Sequence, residues 1–209
     1  MPKGILKMYS KRKVDIKKRL QDFRHIQAKS DKDIFAELAF CTLTPQSKAL
    51  NCWSAVLDLK ETGLLYSGNQ ADIANVLQKK VRFHNNKAKY IVENREKFFS
   101  SNLKNKILSE KNQLELREFL VENIKGYGYK EASHFLRNIG LGEGLAILDR
   151  HIMKNLAKYG AIKSVPKSLT KKKYFEIECC FQKFAEKISI PMAELDLLFW
   201  SQETGEIFK

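Results

Sequence analysis

The sequence predicts an all-α fold, and three observations carry that prediction. Apolar residues recur at intervals of three and four almost throughout the 209 residues, the spacing that lines one face of a helix. Only short stretches alternate as a half-buried strand would. Capping residues, prolines and glycines fall at the edges of the periodic segments, where helices start and stop.

Taken in chain order, Ser30 caps a helix carrying Ile34, Phe35, Leu38 and Ala39 on one face. Pro45 opens the next, with Ala49, Trp53, Val56 and Leu57 in one stripe, and Gly63 ends it. Further helices are predicted at about Ala71 to Lys80, Asn86 to Phe99, Leu103 to Glu110, Gln113 to Ile124 and Lys130 to Ile139. The last three run from about Arg150 to Tyr159, Thr170 to Ile188 and Pro191 to Gln202. Helices are also expected in the N-terminal stretch, where the pattern assigns no bounds. With no internal repeat and no low-complexity linker, residues 1–209 read as one unit of two lobes. One lobe covers about 47–159; the other joins about 1–46 to 160–209. A ligand is expected in a cleft between them.

Lysine and arginine outnumber acidic residues 38 to 24, giving a formal charge of +14. That balance suits a polyanionic partner, nucleic acid being the commonest, without identifying one. Met1 to Lys18 lacks the apolar run of a secretory signal, and no stretch approaches the roughly 18 to 20 apolar residues that span a bilayer. An intracellular protein is therefore expected. Cys41, Cys52, Cys179 and Cys180 form no Cys-x-x-Cys pair and no cluster-binding ladder, and read as reduced, mostly buried thiols. His25, His84, His134 and His151 are scattered, so no structural metal is expected.

The most informative segment runs from Leu120 to Leu136. A helix ends at Gly126-Tyr127-Gly128 and a second begins at once, with Ala132, Phe135, Leu136 and Ile139 facing its partner. Two glycines permit positive φ and a close approach by a bulky anion. Amides at the start of the second helix are then aimed at phosphate, a grip on a DNA backbone that reads no sequence. Lys125, Gly126 and Gly128 are the candidate phosphate-binding positions. The helix before the turn, where a strand would be needed, excludes a dinucleotide fingerprint.

Lys130 occupies the first turn of the second helix, where the dipole opposes a cation. The dipole, Lys125 and partial desolvation favour the neutral amine, the form that attacks carbon. Spacing alone leaves two roles open, nucleophile or solvated phosphate contact. Asp149 follows the apolar run Leu145 to Leu148 and precedes the helix that begins at Arg150. It reads as an N-cap held ionised by amides and dipole, and a carboxylate near a neutral amine can relay protons and stabilise an oxocarbenium-like sugar.

The run Lys125-Gly-Tyr-Gly-Tyr-Lys130-Glu-Ala-Ser-His-Phe-Leu-Arg-Asn-Ile-Gly140, followed by Ala146-Ile-Leu-Asp149-Arg-His-Ile152, resembles the helix-hairpin-helix DNA glycosylase superfamily. Within it, the chain is most similar over its whole length to the second type of 8-oxoguanine DNA glycosylase/lyase of archaea and some bacteria. The shortness of the chain, the lack of cluster cysteines and the terminal Lys209 match that subfamily. The resemblance implies a two-lobed helical glycosylase fold with the hairpin at about 113–139. It implies extrusion of 8-oxoguanine from duplex DNA, attack by Lys130 on C1′, a Schiff base, and β-elimination 3′ to the lesion, with Asp149 as the carboxylate partner and no cofactor. It further implies that Gln46, in Thr44-Pro45-Gln46-Ser47, fills the gap left by the base, that Phe83 and Trp200 line the base pocket, and that Lys209 reaches the base; Arg82, Asn86, Arg150 and His151 are nearby candidates. A single acceptor facing N7–H of 8-oxoguanine would disfavour guanine by about 1 to 3 kcal/mol. A monomer is expected, cytoplasmic and on the nucleoid while it works. Two other readings keep the hairpin: a glycosylase for another damaged base, in which Lys130 and Asp149 persist, and a non-catalytic DNA-binding protein, in which neither matters to chemistry.

Overall fold

The computed structural model describes residues 3–100, 103–110 and 112–209, and among these every regular element is an α-helix. They fall into two units, Ile26–Phe135 and Met1–His25 with Leu136–Lys209. The division runs at 25/26 and 135/136, some twenty residues before each of the lobe boundaries read from sequence.

The unit Ile26–Phe135 is built around α2 (Asp31–Leu43), in which every residue from Ile34 to Leu43 is buried. Ser30 caps it as expected, its side chain accepting from Asp33 N. α3 (Ala49–Glu61) packs on α2, and Gly63 ends it with φ +75°. Pro45 does not open α3, which starts four residues later after N-cap Lys48. The intervening turn contains Gln46 at φ +54°, a conformation no helix continues through. Leu57, placed on the apolar stripe, is 46% exposed. A short α4 (Leu64–Ser67), α5 (Gln70–Leu77), α6 (His84–Ser100), α7 (Leu103–Ser109) and α8 (Gln113–Asn123) follow, with α5 against α6 and α2 against α6. Phe35, Phe98 and Phe99 form a mutual cluster with ring centroids 5.0–5.4 Å apart.

α9 (Tyr129–Asn138) runs across the division. The other unit contains its end together with α1 (Lys3–Ile26) as far as His25, α10 (Arg150–Lys158), α11 (Lys171–Ile188) and α12 (Met192–Thr204). Residues 192–199 of α12 are all buried, and Phe199 lies stacked between Tyr159 and Phe181 at 5.6 and 6.2 Å. Among its described side chains α1 buries only Ile5, Ile16, Leu20 and Phe23, while Val14 is 79% exposed, so its apolar face is narrow and interrupted by lysines. Inside this unit Arg137 pairs with Asp196 at 3.4 Å and lies 4.8 Å above the Phe23 ring. Of the four thiols, Cys41 and Cys52 are buried and Cys179 and Cys180 exposed, so only half the expected burial occurs. No described helix is long and apolar enough to cross a membrane.

Candidate active site

The hairpin's turn is fixed from below by one amide. Asn94, fully buried on α6, donates from Nδ2 to Lys125 O at 3.0 Å and accepts from Lys125 N at 2.8 Å. Gly126 has φ +85°, and a Cβ there would lie 2.8 Å from the Tyr90 ring, so both conformation and space require glycine. Tyr127 turns inward and donates to Leu38 O at 2.9 Å. Arg117 of α8, 1% exposed, donates to Ser133 Oγ at 3.3 Å and faces the Tyr129 ring, joining the two helices of the hairpin.

Glu131, unremarked in sequence, governs the start of α9. Its Oε2 accepts from Gly128 N at 3.2 Å, the N3-to-N-cap half of a capping box, and its Oε1 lies 3.0 Å from Lys130 Nζ. The Gly128 amide, expected to face phosphate, is therefore held by this carboxylate. Lys130 is only 21% exposed, and its Nζ also donates to Thr44 Oγ1 at 3.2 Å. Thr44 in turn donates to Cys41 O, which leaves a lone pair turned toward the lysine. Beside the dipole and Lys125, Glu131 thus sets an opposite charge against Lys130 that spacing along the chain does not announce.

Gln46 and Phe83, from two different turns, share two features: both are exposed, and both have positive φ, +54° and +57°. For side chains larger than glycine that conformation costs about 1–2 kcal/mol each, and surrounding bonds must hold it. Those bonds converge on Lys87, which is 4% exposed. Its Nζ donates to Leu43 O, Pro45 O and Ser47 Oγ at 2.8, 2.7 and 2.9 Å. Burial lowers its pKa to about 8. Burial also pushes the neighbouring Cys52 thiol up to about 11, and its Sγ donates to Leu43 O.

Asp149 lies in the other unit as the N-cap of α10, where Oδ1 accepts from the amides of His151 and Ile152, both at 2.8 Å. Its Oδ2 has no hydrogen bond among the described residues, so one oxygen holds the cap and the other is available. The loop before it is set by a Schellman end to α9: Leu141 N bonds Leu136 O and Gly140 N bonds Arg137 O, with Gly140 at φ +75°. α10 packs on α12, and His151 Nδ1 and Lys154 Nζ each lie 3.6 Å from Glu203. Trp200 of α12 is half-buried with the Phe208 ring 6.1 Å away, and Lys209, next along the chain, is half-buried as well.

The predicted positions thus form two sets. Lys130, Gln46, Phe83, Lys125, Gly126 and Gly128 belong to Ile26–Phe135; Asp149, Trp200 and Lys209 belong to the other unit. A cavity of about 390 Å³ in that second unit, lined by Glu143, Gln182, Glu186 and Pro191 among others, contains none of them. No group of His, Cys, Asp and Glu among the described residues is disposed to hold a metal. Lys87 carries no sequence signal beyond its charge, whereas Glu131, three residues after Gly128, has a readable capping-box spacing.

A family model described as 8-oxoguanine DNA glycosylase matches residues 16–190. The 8-oxoguanine DNA glycosylase/AP lyase of Fusobacterium nucleatum is 48% identical over 209 residues, covering 98% of this chain and 96% of that protein. The crystal structure of the Methanocaldococcus jannaschii 8-oxoguanine glycosylase/lyase with a 15mer DNA containing 8-oxoguanine superposes with a TM-score of 0.88 at 36% identity, covering 98% of this chain and 99% of the other. The Thermotoga maritima 8-oxoguanine DNA glycosylase gives 0.88 at 32% identity, covering 99% and 97%. With a family match across 16–190 and relatives alike over nearly their full length, this chain belongs to the helix-hairpin-helix 8-oxoguanine DNA glycosylase family.

Proposed function

We propose that this chain excises 8-oxoguanine from double-stranded DNA and then cleaves the strand 3′ to the abasic site, acting as a monomer in the cytoplasm, on the nucleoid. The observation that carries the reading is Lys130: a largely buried amine at the first turn of a hairpin helix, held at Nζ by Thr44 and Glu131 and still 21% open to solvent.

Chemistry at that nitrogen follows from its lone pair. Nζ, once deprotonated, attacks C1′; the C1′–N9 bond breaks and its electron pair leaves with the base. Loss of the nitrogen's proton and opening of the sugar ring give a Schiff base. A proton then departs from C2′, the C3′–O bond breaks, and the 3′ phosphate is the leaving group. Water hydrolyses the imine and regenerates the lysine. Asp149, with Oδ1 committed to the cap, would use Oδ2 to take protons and to offset charge on the sugar. Gln46 and Phe83 would meet the duplex at the extrusion site, with Trp200 and Lys209 at the base. Lys125, Gly126 and Gly128 would take phosphate, which requires Glu131 to yield the Gly128 amide.

The test is borohydride reduction of the protein with a duplex bearing one 8-oxoguanine opposite cytosine. Wild type should give a covalent protein–DNA band that Lys130→Ala lacks. A band on another damaged base alone would overturn the pocket assignment, and none on any lesion or abasic site would overturn the lyase.

A further inference from the structure

We propose that Lys87 is a positioning residue that holds both strained tips, Gln46 and Phe83, in the geometry with which they meet a lesion-bearing duplex. The proposal rests on the roles given above to those two tips.

An ammonium has three N–H donors, and Lys87 Nζ meets three acceptors, Leu43 O, Pro45 O and Ser47 Oγ, which bracket Gln46 on both sides. Its backbone amide donates to Phe83 O at 3.0 Å as the first-turn bond of α6, which any residue at 87 would make, so its side chain reaches the Phe83 turn through Ser47. Ser47 Oγ completes the link by accepting from Arg82 N at 3.0 Å, one residue before Phe83. Two exposed side chains in left-handed conformations thus lie on turns tied to one buried cation, that of Gln46 directly and that of Phe83 through Ser47. Lys87 is itself 4% exposed, which excludes direct contact with DNA. It therefore acts through the tips.

A mutant cycle separates this role from general stabilisation. Excision kinetics on the 8-oxoguanine duplex would be compared for wild type, Lys87→Met, the pair Gln46→Ala/Phe83→Ala, and the triple variant. Lys87→Met is expected to lower kcat/KM by about 10-fold when the tips are present and by less than about 2-fold when they are absent, a coupling typical of residues in one network. Lys87→Arg should restore part of the loss, because it keeps charge and donors. If Lys87→Met does not fold, Ser47→Ala, which removes only the bridging hydroxyl, should show the same non-additivity. Equal losses in both backgrounds would overturn the proposal alone. A tip double variant as active as wild type would overturn the roles of Gln46 and Phe83, and the proposal with them.

Discussion

Lys87 is a cation almost wholly withdrawn from water, and its titration is readable in stability. The unfolded chain binds its proton at about 10.5 and the folded chain at about 8. Between those values the unfolded state holds more protons, so stability rises with pH; the penalty is complete below about 8 and gone above 10.5. At about 1.4 kcal/mol per pH unit the effect is bounded at roughly 3.5 kcal/mol. Unfolding free energies of wild type and Lys87→Met, measured from pH 7 to 10.5, should diverge by a pH-dependent amount with that sign, and parallel curves would contradict the assignment. Nothing marks Lys87 among 38 basic residues in the sequence; its three acceptors come from a turn some forty positions earlier. Asp149 is the opposite case. Its position before a helical run made it readable as an N-cap, and the two amide bonds at 2.8 Å are that cap.

At the scale of elements, the hairpin depends on a turn that its own sequence only half explains. The two glycines and the small Ala132 announced it, but the Asn94 clamp and the Tyr90 ring beneath Gly126 come from α6. Gly126→Ala would combine a left-handed alanine, costing about 1–2 kcal/mol, with a Cβ 2.8 Å from that ring. Its Tm should fall by roughly 4 °C or more, and its affinity for undamaged duplex should fall with it. An unchanged Tm would mean that the turn is not held as described. Pro45 marks the limit of local signals: a proline suits a helix start, yet bonds from Lys87 to the Leu43–Ser47 carbonyl and hydroxyl groups hold the chain in a turn instead.

Over the whole molecule, charge and buried pairing make separate predictions. With a formal charge of +14, binding to undamaged duplex should be dominated by counterion release. If about four phosphates are neutralised, affinity should drop roughly 100-fold between 50 and 200 mM salt, and a flat response would remove the backbone grip. Arg137→Met would remove the cation 3.4 Å from Asp196, which is 7% exposed, and should cost about 3–5 kcal/mol by chemical denaturation. A loss below 1 kcal/mol would show that the pair is not tightly coupled.

The helical class, most helix positions, the capping of α2 and α10, and the hairpin with Lys130 at its helix start were all legible in the chain, because each is dictated by residues within one or two turns of one another. The family was legible for the same reason: its marks are two short runs, Lys125 to Gly140 and Ala146 to Ile152. The division at 25/26 and 135/136, the α3 start at Ala49, the Thr44 contact with Lys130, and the convergence of two turns on Lys87 were decided by tertiary structure. Each depends on which distant acceptor or charge a side chain meets once water is excluded, and that pairing is set by packing between elements that no local pattern encodes.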